Sequence, residues 1–355
     1  MHLTTASQYK LLWSPTHYTR PPTYQSAKEL RQHIQPPAMQ SFMKLPREIR
    51  DQICIYVVLS PTTAPDTTQS FEELTESRVN FKNPNLRAWC SLVLYSPNPP
   101  TSTVTSLLLV NKQLHSETRS NLELLAKSPY CSLDLIILDE IVLLPTWTTI
   151  PVPDTTTLNT VDVTFRIAGV HQKKKEYPYG PYKGFQIGDG AGPAMQWQIY
   201  AVLERFIRAG FSGETECRNT HKHITAKRIN IDIQTPPGVS PERFGRPANG
   251  YPRRRRKEEP KTVLDPDYLA GFVRGNLGGL MVGLNYEWFN YGQILYEHLD
   301  EIVLCKDGVE IERWDVAERL KNVVPESHLS REKLAEYKEE AWALRRARGL
   351  KVLDN

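Results

Sequence analysis

The order of apolar segments after residue 130 constrains the fold of this 355-residue chain more than any other feature. Four short apolar or alternating runs have the length and pattern of strands: 133–138, 161–167, 224–233 and 299–305. Apolar residues at helical spacing separate them at 197–209, before the typical helix stop Gly210, and at 265–284. This order predicts a mixed α/β body over residues 129–355.

The ends of the chain add three expectations. Asp307-Gly308 is a strong hairpin signal directly after the last strand run. Ser330 is a suitable N-cap for a C-terminal amphipathic helix. The apolar stripe predicted for that helix consists of Leu334, Tyr337, Ala341 and Leu344. Residues 1–40 are rich in Thr, Ser, Pro and Gln without a sustained period, and we expect a flexible arm there.

A helix is predicted near the front of the chain. Pro46 suits a first helical position, and Glu48 places a carboxylate in the first turn, where the helix dipole favours it. Apolar residues recur every four positions and form one stripe: Leu45, Ile49, Ile53 and Val57. A second helix is predicted over 107–125, after a proline-rich irregular segment at 61–104. The predicted fold class is therefore α+β, with a helical segment over 41–128, the mixed body, and the C-terminal helix.

Two of these segments carry a family resemblance. The first reads FMKLPREIR from Phe42 to Arg50, followed by Ile53-Cys54, and the second reads LVNKQLHSE from Leu109 to Glu117. In this order they resemble the opening of fungal F-box-like proteins. Glu48-Ile49-Arg50 also matches the first motif of a related fungal family with two Glu-x-Arg motifs. The second motif of that family is not matched, because Gln113-Leu114-His115 occupies its register.

The resemblance implies a function and a partner. In F-box proteins this helical front end docks on the linker subunit of a cullin ubiquitin ligase, and the rest of the chain binds a protein substrate. The resemblance thus implies a non-enzymatic interaction protein of the substrate-adaptor type. The partner-binding residues that it implies are Leu45, Pro46, Glu48, Ile49 and Ile53.

Two alternatives stay open. Apolar stripes usually mark core, so the same helices also fit a self-contained intracellular protein without a ligase role. A nucleic-acid binder is the weaker alternative, based on Lys173–Lys175 beside several aromatic residues and on the run Arg253–Lys257, which also resembles a nuclear localisation signal. Because the net charge is only +4 and both runs lie in Gly- or Pro-containing loops, solvated loops are favoured for them.

No motif in the sequence predicts an enzyme, a metal or a cofactor. G-x-S-x-G, HExxH and the protein-kinase set are all missing from the sequence. Adjacent carboxylates such as Asp139-Glu140 are expected on different faces of a strand or helix, which is unfavourable for shared acid–base work. Cys217, His221 and His223 lie close in sequence, but no fourth metal ligand is evident, and a loop that enters a strand is favoured.

Three further sequence patterns bear on the cellular compartment, on membrane spanning and on helix packing. The five cysteines are scattered without a CxxC pair, which favours a reducing compartment. No apolar run reaches the roughly 20 residues that a membrane helix needs. We therefore expect a protein of the cytoplasm, the nucleus or both, without a membrane partner. A four-residue glycine repeat at 271, 275, 279 and 283 predicts a smooth helix face for close packing.

Overall fold

The computed structural model describes ten stretches of the chain: residues 42–81, 92–97, 103–151, 155–170, 184–185, 192–211, 223–247, 262–282, 286–324 and 330–353. Contacts between residues divide the chain into a unit of residues 1–50 and a unit of residues 51–355. The predicted arm at 1–40 lies outside the described residues.

Residues 42–50 form a compact start to the first helix, α1, which spans Arg47–Val58. The Pro46 carbonyl accepts hydrogen bonds from the N–H groups of Ile49 (3.2 Å) and Arg50 (3.1 Å). The Arg50 guanidinium, which is buried, donates to the carbonyls of Met43 and Leu45. The helix therefore begins directly after Pro46, one residue later than predicted.

Among the described residues, three helices follow before the sheet: α2 Phe71–Thr75, α3 Val104–Leu108 and α4 Lys112–Leu125. The prediction of one helix over 107–125 is wrong, because the backbone of Asn111 is extended. The Asn111 side chain accepts a hydrogen bond from the N–H of Leu114 at 2.8 Å and caps α4. A polar residue with cap geometry thus divides the Leu-rich segment into two helices.

The body contains a six-stranded sheet in the order β2-β1-β3-β4-β7-β8. Its strands are β1 Tyr130–Leu138, β2 Val142–Thr149, β3 Thr157–Ala168, β4 Thr225–Ile233, β7 Leu299–Lys306 and β8 Val309–Asp315. The four inner strands are parallel, and the edge strands β2 and β8 are antiparallel to their neighbours. Two-residue strands, β5 Phe244–Gly245 and β6 Val263–Leu264, pair separately. The mixed α+β class and the four predicted strand runs are confirmed.

One face of the sheet packs against helices that connect its strands. The helices of the body are α5 Ala194–Ala209, α6 Pro266–Val282, α7 Tyr286–His298, α8 Val316–Asn322 and α9 Arg331–Ala347. Leu135, Val163 and Ile231 of this sheet face share one apolar core with Phe206 of α5 and Leu277 of α6. A cavity of about 60 Å³ remains between the sheet and α5, α6 and α7, and the side chains that line it are all apolar.

The opposite face of the sheet is covered at β1 and β2 by residues 71–81 and 92–97. Phe71, Leu74, Leu92 and Leu94 form a second apolar cluster with Ile136, Leu138 and Leu144. Arg78 links this covering segment to β2, because its guanidinium donates hydrogen bonds to the carbonyls of Leu94 (3.1 Å) and Pro145 (3.0 Å). The segment expected to be irregular therefore includes α2 and supplies a packing layer.

The C-terminal helix α9 is present as predicted, and Ser330 caps it by accepting a hydrogen bond from the N–H of Lys333 at 3.2 Å. Its predicted stripe is wrong at Leu344, which is exposed, whereas Arg345 is fully buried. The Arg345 guanidinium donates to the carbonyls of Tyr296 (2.6 Å) and Leu299 (2.7 Å). Hydrogen bonding therefore compensates for the burial of a cation in place of an apolar residue.

The predicted packing face of α6 is wrong at Gly271 and Gly275, where an added Cβ would meet open space. Gly283 lies outside the described residues. The close helix contact comes from the other helix, because an added Cβ at Gly292 of α7 would lie 2.0 Å from the Leu280 carbonyl oxygen. None of the described helices is both long and apolar enough to cross a bilayer.

Candidate functional site

The outer face of α1 consists of Ile49, Ile53 and Tyr56, which lie at positions i, i+4 and i+7 of one helix. Their exposed fractions are 42%, 37% and 76%. Pro46 and Glu48, also predicted to bind a partner, are exposed, and Leu45 is half-buried. Large apolar side chains at this spacing form a continuous surface of the kind that a partner groove can cover.

The opposite side of α1 is buried. Cys54 and Val58 are almost completely covered, although neither belongs to the predicted stripe. The Asp51 carboxylate accepts a hydrogen bond from Asn121 of α4 at 3.1 Å, and the Thr103 hydroxyl donates to the Val57 carbonyl at 2.9 Å. The helix thus has a packed face and an exposed apolar face.

Of the remaining predicted candidates, only His223 lies within the described residues. Lys173–Lys175, Arg253–Lys257, Cys217 and His221 lie outside the described residues. His223 stacks on His298 at a ring-centroid distance of 5.3 Å. Burial lowers the pKa of His298 to about 3, so this imidazole is neutral and structural. Within the described part of the chain, no three His, Cys, Asp or Glu side chains are grouped as a metal site would require.

Asp139 and Glu140 lie in the turn that joins β1 to β2. Both have left-handed backbone angles, with φ of 51° and 64°. The N–H of Ile141 closes the turn by donating to the Leu138 carbonyl at 3.0 Å. Both acidic residues are buried. The expectation that they occupy opposite faces of a strand or helix is therefore wrong, because the chain reverses at these residues.

Several elements hold this carboxylate turn, defined as residues 139–141, in place. The N–H of Asp139 donates to the carbonyl of Ala168 at the end of β3 (2.9 Å), and its carboxylate accepts from the N–H of Val170 (3.1 Å). Gln198 of α5 donates to the Ile141 carbonyl at 2.8 Å. Gly184 packs so closely that an added Cβ would lie 2.1 Å from the Glu140 carbonyl oxygen.

The Glu140 side chain is the electrostatically unusual group of this turn. Burial, together with the neighbouring Asp139 charge, raises its pKa to about 7. Its charge also helps to raise the pKa of Tyr268, at the start of α6, where burial is the main cause and Arg246 acts in the opposite direction. Such a carboxyl group gains or loses its proton near neutral pH, as groups in functional sites often do.

An aromatic cluster adjoins the carboxylate turn. Phe185, which follows Gly184, contacts Phe272 and Tyr268 of α6 at ring-centroid distances of 4.8 Å and 5.8 Å. The turn also lies at the carboxyl edge of the parallel strands, the edge where open α/β sheets bind ligands. The sequence contained one signal of this site, since two acidic residues interrupt an otherwise apolar segment between Leu133 and Leu144.

Comparisons with known proteins leave the family undecided. The chain matches no protein-family model, no curated protein and no solved structure.

Proposed function

We propose that this protein is a non-enzymatic interaction protein of the cytoplasm, the nucleus or both, and that it acts as an F-box-type substrate adaptor. The observation that supports docking is the exposure of Ile49 (42%) and Ile53 (37%) one turn apart on α1. Full burial of such a side chain contributes roughly 1.5–3 kcal/mol, so the pair is a useful anchor for a partner. The resemblance to fungal F-box-like proteins specifies that partner as the linker subunit of a cullin ubiquitin ligase.

The residues around this pair fit the same role. Pro46 and Glu48 are exposed at the start of α1, next to the half-buried Leu45. The Arg50 bonds to the carbonyls of Met43 and Leu45 keep this short stretch ordered before any partner binds. A preformed strip loses less conformational entropy on binding than a disordered one. In this proposal the remaining chain recruits a protein substrate.

Co-purification of the full chain with the linker subunit tests the proposal. We expect the wild-type protein to retain the subunit, and Ile49→Asp to lose it, because the substitution places a charge in the apolar contact. Leu344→Asp is the matched control, since Leu344 is a helical residue with 37% exposure on α9. Thermal unfolding of each variant confirms that it still folds.

Two outcomes contradict the proposal. Retention of the subunit by Ile49→Asp removes the outer face of α1 from the contact. A wild-type protein that does not associate with the subunit at all removes the ligase role. The self-contained alternative then stands, supported by the buried side of α1 at Cys54 and Val58.

A further inference from the structure

The apolar cavity of the body lies between the helix-packed face of the sheet and the helices α5, α6 and α7. Its lining comes from the strands β1, β2, β3, β4 and β7 and from the three helices, and every lining residue is Val, Leu, Ile, Phe or Trp. Protein interiors are close-packed, and voids larger than a water molecule are few in any domain. A space of this kind inside the main core therefore calls for an explanation.

The strand pairing shows how the sequence leaves this space. Val163 of β3 lies between Leu133 of β1 and Ile231 of β4 in the register of the sheet, and all three line the cavity. Val161, two residues earlier on the same face of β3, pairs with Ile229. Because valine has one methylene group fewer than leucine or isoleucine, β3 leaves a depression between its neighbours under the helices.

The size of the cavity limits the size of its ligand. Its volume of about 60 Å³ exceeds the roughly 10–15 Å³ that one water molecule needs. It is well below the roughly 150 Å³ of an engineered cavity lined by Leu, Ile and Phe that binds benzene. The space is therefore suited to a compact group that is larger than water and smaller than an aromatic ring.

The cavity approaches the surface on one side. Trp147, Ile199 and Leu203 line it and are themselves partly exposed, whereas the other lining side chains are buried. Ile199 and Leu203 lie one turn apart on α5. The Trp147 ring packs against Phe206 and Phe211 at centroid distances of 4.9 Å and 4.8 Å. This is the side from which a ligand can enter.

The lining also determines the chemistry of the ligand. The surface that it presents to the cavity is entirely apolar. A buried hydroxyl or charged group would lose its hydrogen bonds with water and gain none, which is costly. Water is disfavoured for the same reason. Only an apolar group gains free energy on transfer into this space.

We propose that this cavity binds a short alkyl group of roughly three carbon atoms, as its volume allows. The group belongs either to a free small hydrocarbon or to the end of a longer alkyl chain, whose polar end remains outside near Trp147. The ligand contacts the sheet and the helices of the body at once. This site is independent of docking through α1.

Methyl NMR spectroscopy of the full chain, equilibrated with propane under pressure, tests the proposal. The methyl signals of Ile231 and Ile302, which line the cavity, are expected to shift saturably with a dissociation constant of about 1–10 mM. Ile136 and Ile141, in the apolar cluster on the opposite face of the sheet, are internal controls whose signals are expected to stay unchanged. Ethanol has as many non-hydrogen atoms as propane, and we expect it to bind at least about tenfold more weakly because of its hydroxyl group.

Hexanoate, titrated in parallel, distinguishes the two sources of the alkyl group. Tighter binding than propane, with shifts of the same Ile231 and Ile302 signals, indicates the end of a longer chain. Weaker binding than propane, or none, indicates a free small hydrocarbon.

A substitution that fills the depression assigns the site. Val163→Ile adds one methylene group at the cavity and is expected to weaken propane binding at least about fivefold while it raises the melting temperature. Val142→Ile is the matched control, since Val142 is fully buried in the cluster on the opposite face. We expect the control to leave the affinity for propane unchanged. A void that is only a packing defect would change the melting temperature without a saturable affinity.

Four results overturn the proposal. The first is a folded wild-type protein whose Ile231 and Ile302 signals do not shift with propane. The second is an equal shift at Ile136 and Ile141, which indicates unspecific partition into the core. The third is an unchanged affinity in folded Val163→Ile, which places propane elsewhere. The fourth is equal binding of ethanol, which contradicts an apolar lining.

Discussion

The two hairpins that close the sheet, β1–β2 and β7–β8, turn at the same carboxyl edge and use matching contacts. Asp139 donates its N–H to the end of β3 at 2.9 Å, and Asp307 donates its N–H to the Ile233 carbonyl at the end of β4 at 3.1 Å. Each Asp carboxylate then accepts a hydrogen bond from the N–H two residues beyond the end of that neighbouring strand, from Val170 at 3.1 Å and from Thr235 at 2.7 Å. The first residue of both turns thus has one structural role.

The second residue of each turn is where the hairpins differ. Gly308 has a φ of 76° and is exposed, which is the conformation that glycine adopts without strain. Glu140 adopts a φ of 64° with a side chain and with a buried carboxyl group. The comparison shows that the turn at β1–β2 is not required by the fold to be acidic. A glycine turn closes the other hairpin of the same sheet.

The largest expected effect concerns packing around the carboxylate turn. Gly184→Ala places a methyl group 2.1 Å from the Glu140 carbonyl oxygen at a φ of 42°. We expect it to lower the free energy of unfolding by about 4 kcal/mol, as overpacking and left-handed strain combine. Gly308→Ala, where an added Cβ meets open space, is expected to cost only about 1 kcal/mol. Urea denaturation of both variants measures the difference, and equal losses would contradict a packed turn at one end only.

The next effect is a pH dependence at Glu140. Its pKa rises from 4.5 to about 7 on folding, so the native state holds the proton more tightly. Stability is therefore highest below about pH 4.5 for this group and falls by about 3 kcal/mol as pH rises through 7. Glu140→Gln removes that fall. Unfolding free energies measured from pH 5 to 8 test this prediction, which fails if the two curves run parallel.

A glutamate introduced into the second hairpin distinguishes the effect of the left-handed backbone from the effect of side-chain burial. Gly308→Glu gives the second hairpin the same Asp-Glu pair, but at an exposed position. We expect a loss of about 1 kcal/mol from the left-handed backbone and no change of that loss between pH 5 and 8. A fall resembling that of the wild-type Glu140 would show that the dipeptide, rather than its burial, causes the pH effect.

The smallest effect lies at Asp307 and has the opposite sign. Hydrogen bonds from the Thr235 N–H and hydroxyl lower the pKa of this carboxyl group. Its contribution to stability is present above the unfolded pKa and is lost as pH falls through the folded value. Asp307→Asn therefore reduces acid sensitivity below about pH 4 by less than about 1 kcal/mol, since solvent screens exposed charges. Acid unfolding followed by circular dichroism measures it, and a change near pH 7 instead would refute the assignment.

The sequence predicted one of these turns and not the other for a physical reason. Glycine signals a left-handed backbone, so Asp307-Gly308 was readable as a hairpin. Asp139-Glu140 carries no such signal, and its conformation is imposed by Gly184, Gln198 and the end of β3. Tertiary contacts of this kind are not visible in local spacing. The four inner strands were predictable because their short apolar or alternating runs have the length and pattern of strands.

Which side of α1 is buried was likewise not predictable from local spacing in the sequence. Spacing correctly placed Ile49 and Ile53 on one side of the helix, but it left open whether that side is buried. The structure buries Cys54 and Val58, which lie about 140° further round the helix axis. Cysteine behaves as a small apolar residue. The buried side, formed by Cys54 and Val58, therefore gives a weaker signal in the sequence than the four-residue apolar stripe. The docking role of the exposed side remains a prediction.

The apolar cavity between the sheet and α5, α6 and α7 has a mechanical consequence. The lining offers water no polar partner, so hydration of this space of about 60 Å³ is unfavourable, and the sheet and the helices are imperfectly packed there. The loss of internal voids reduces the volume of the system, and hydrostatic pressure therefore favours loosening of this layer. Compression is expected to release the helices on this face of the sheet before it disturbs the layer formed by residues 71–81 and 92–97.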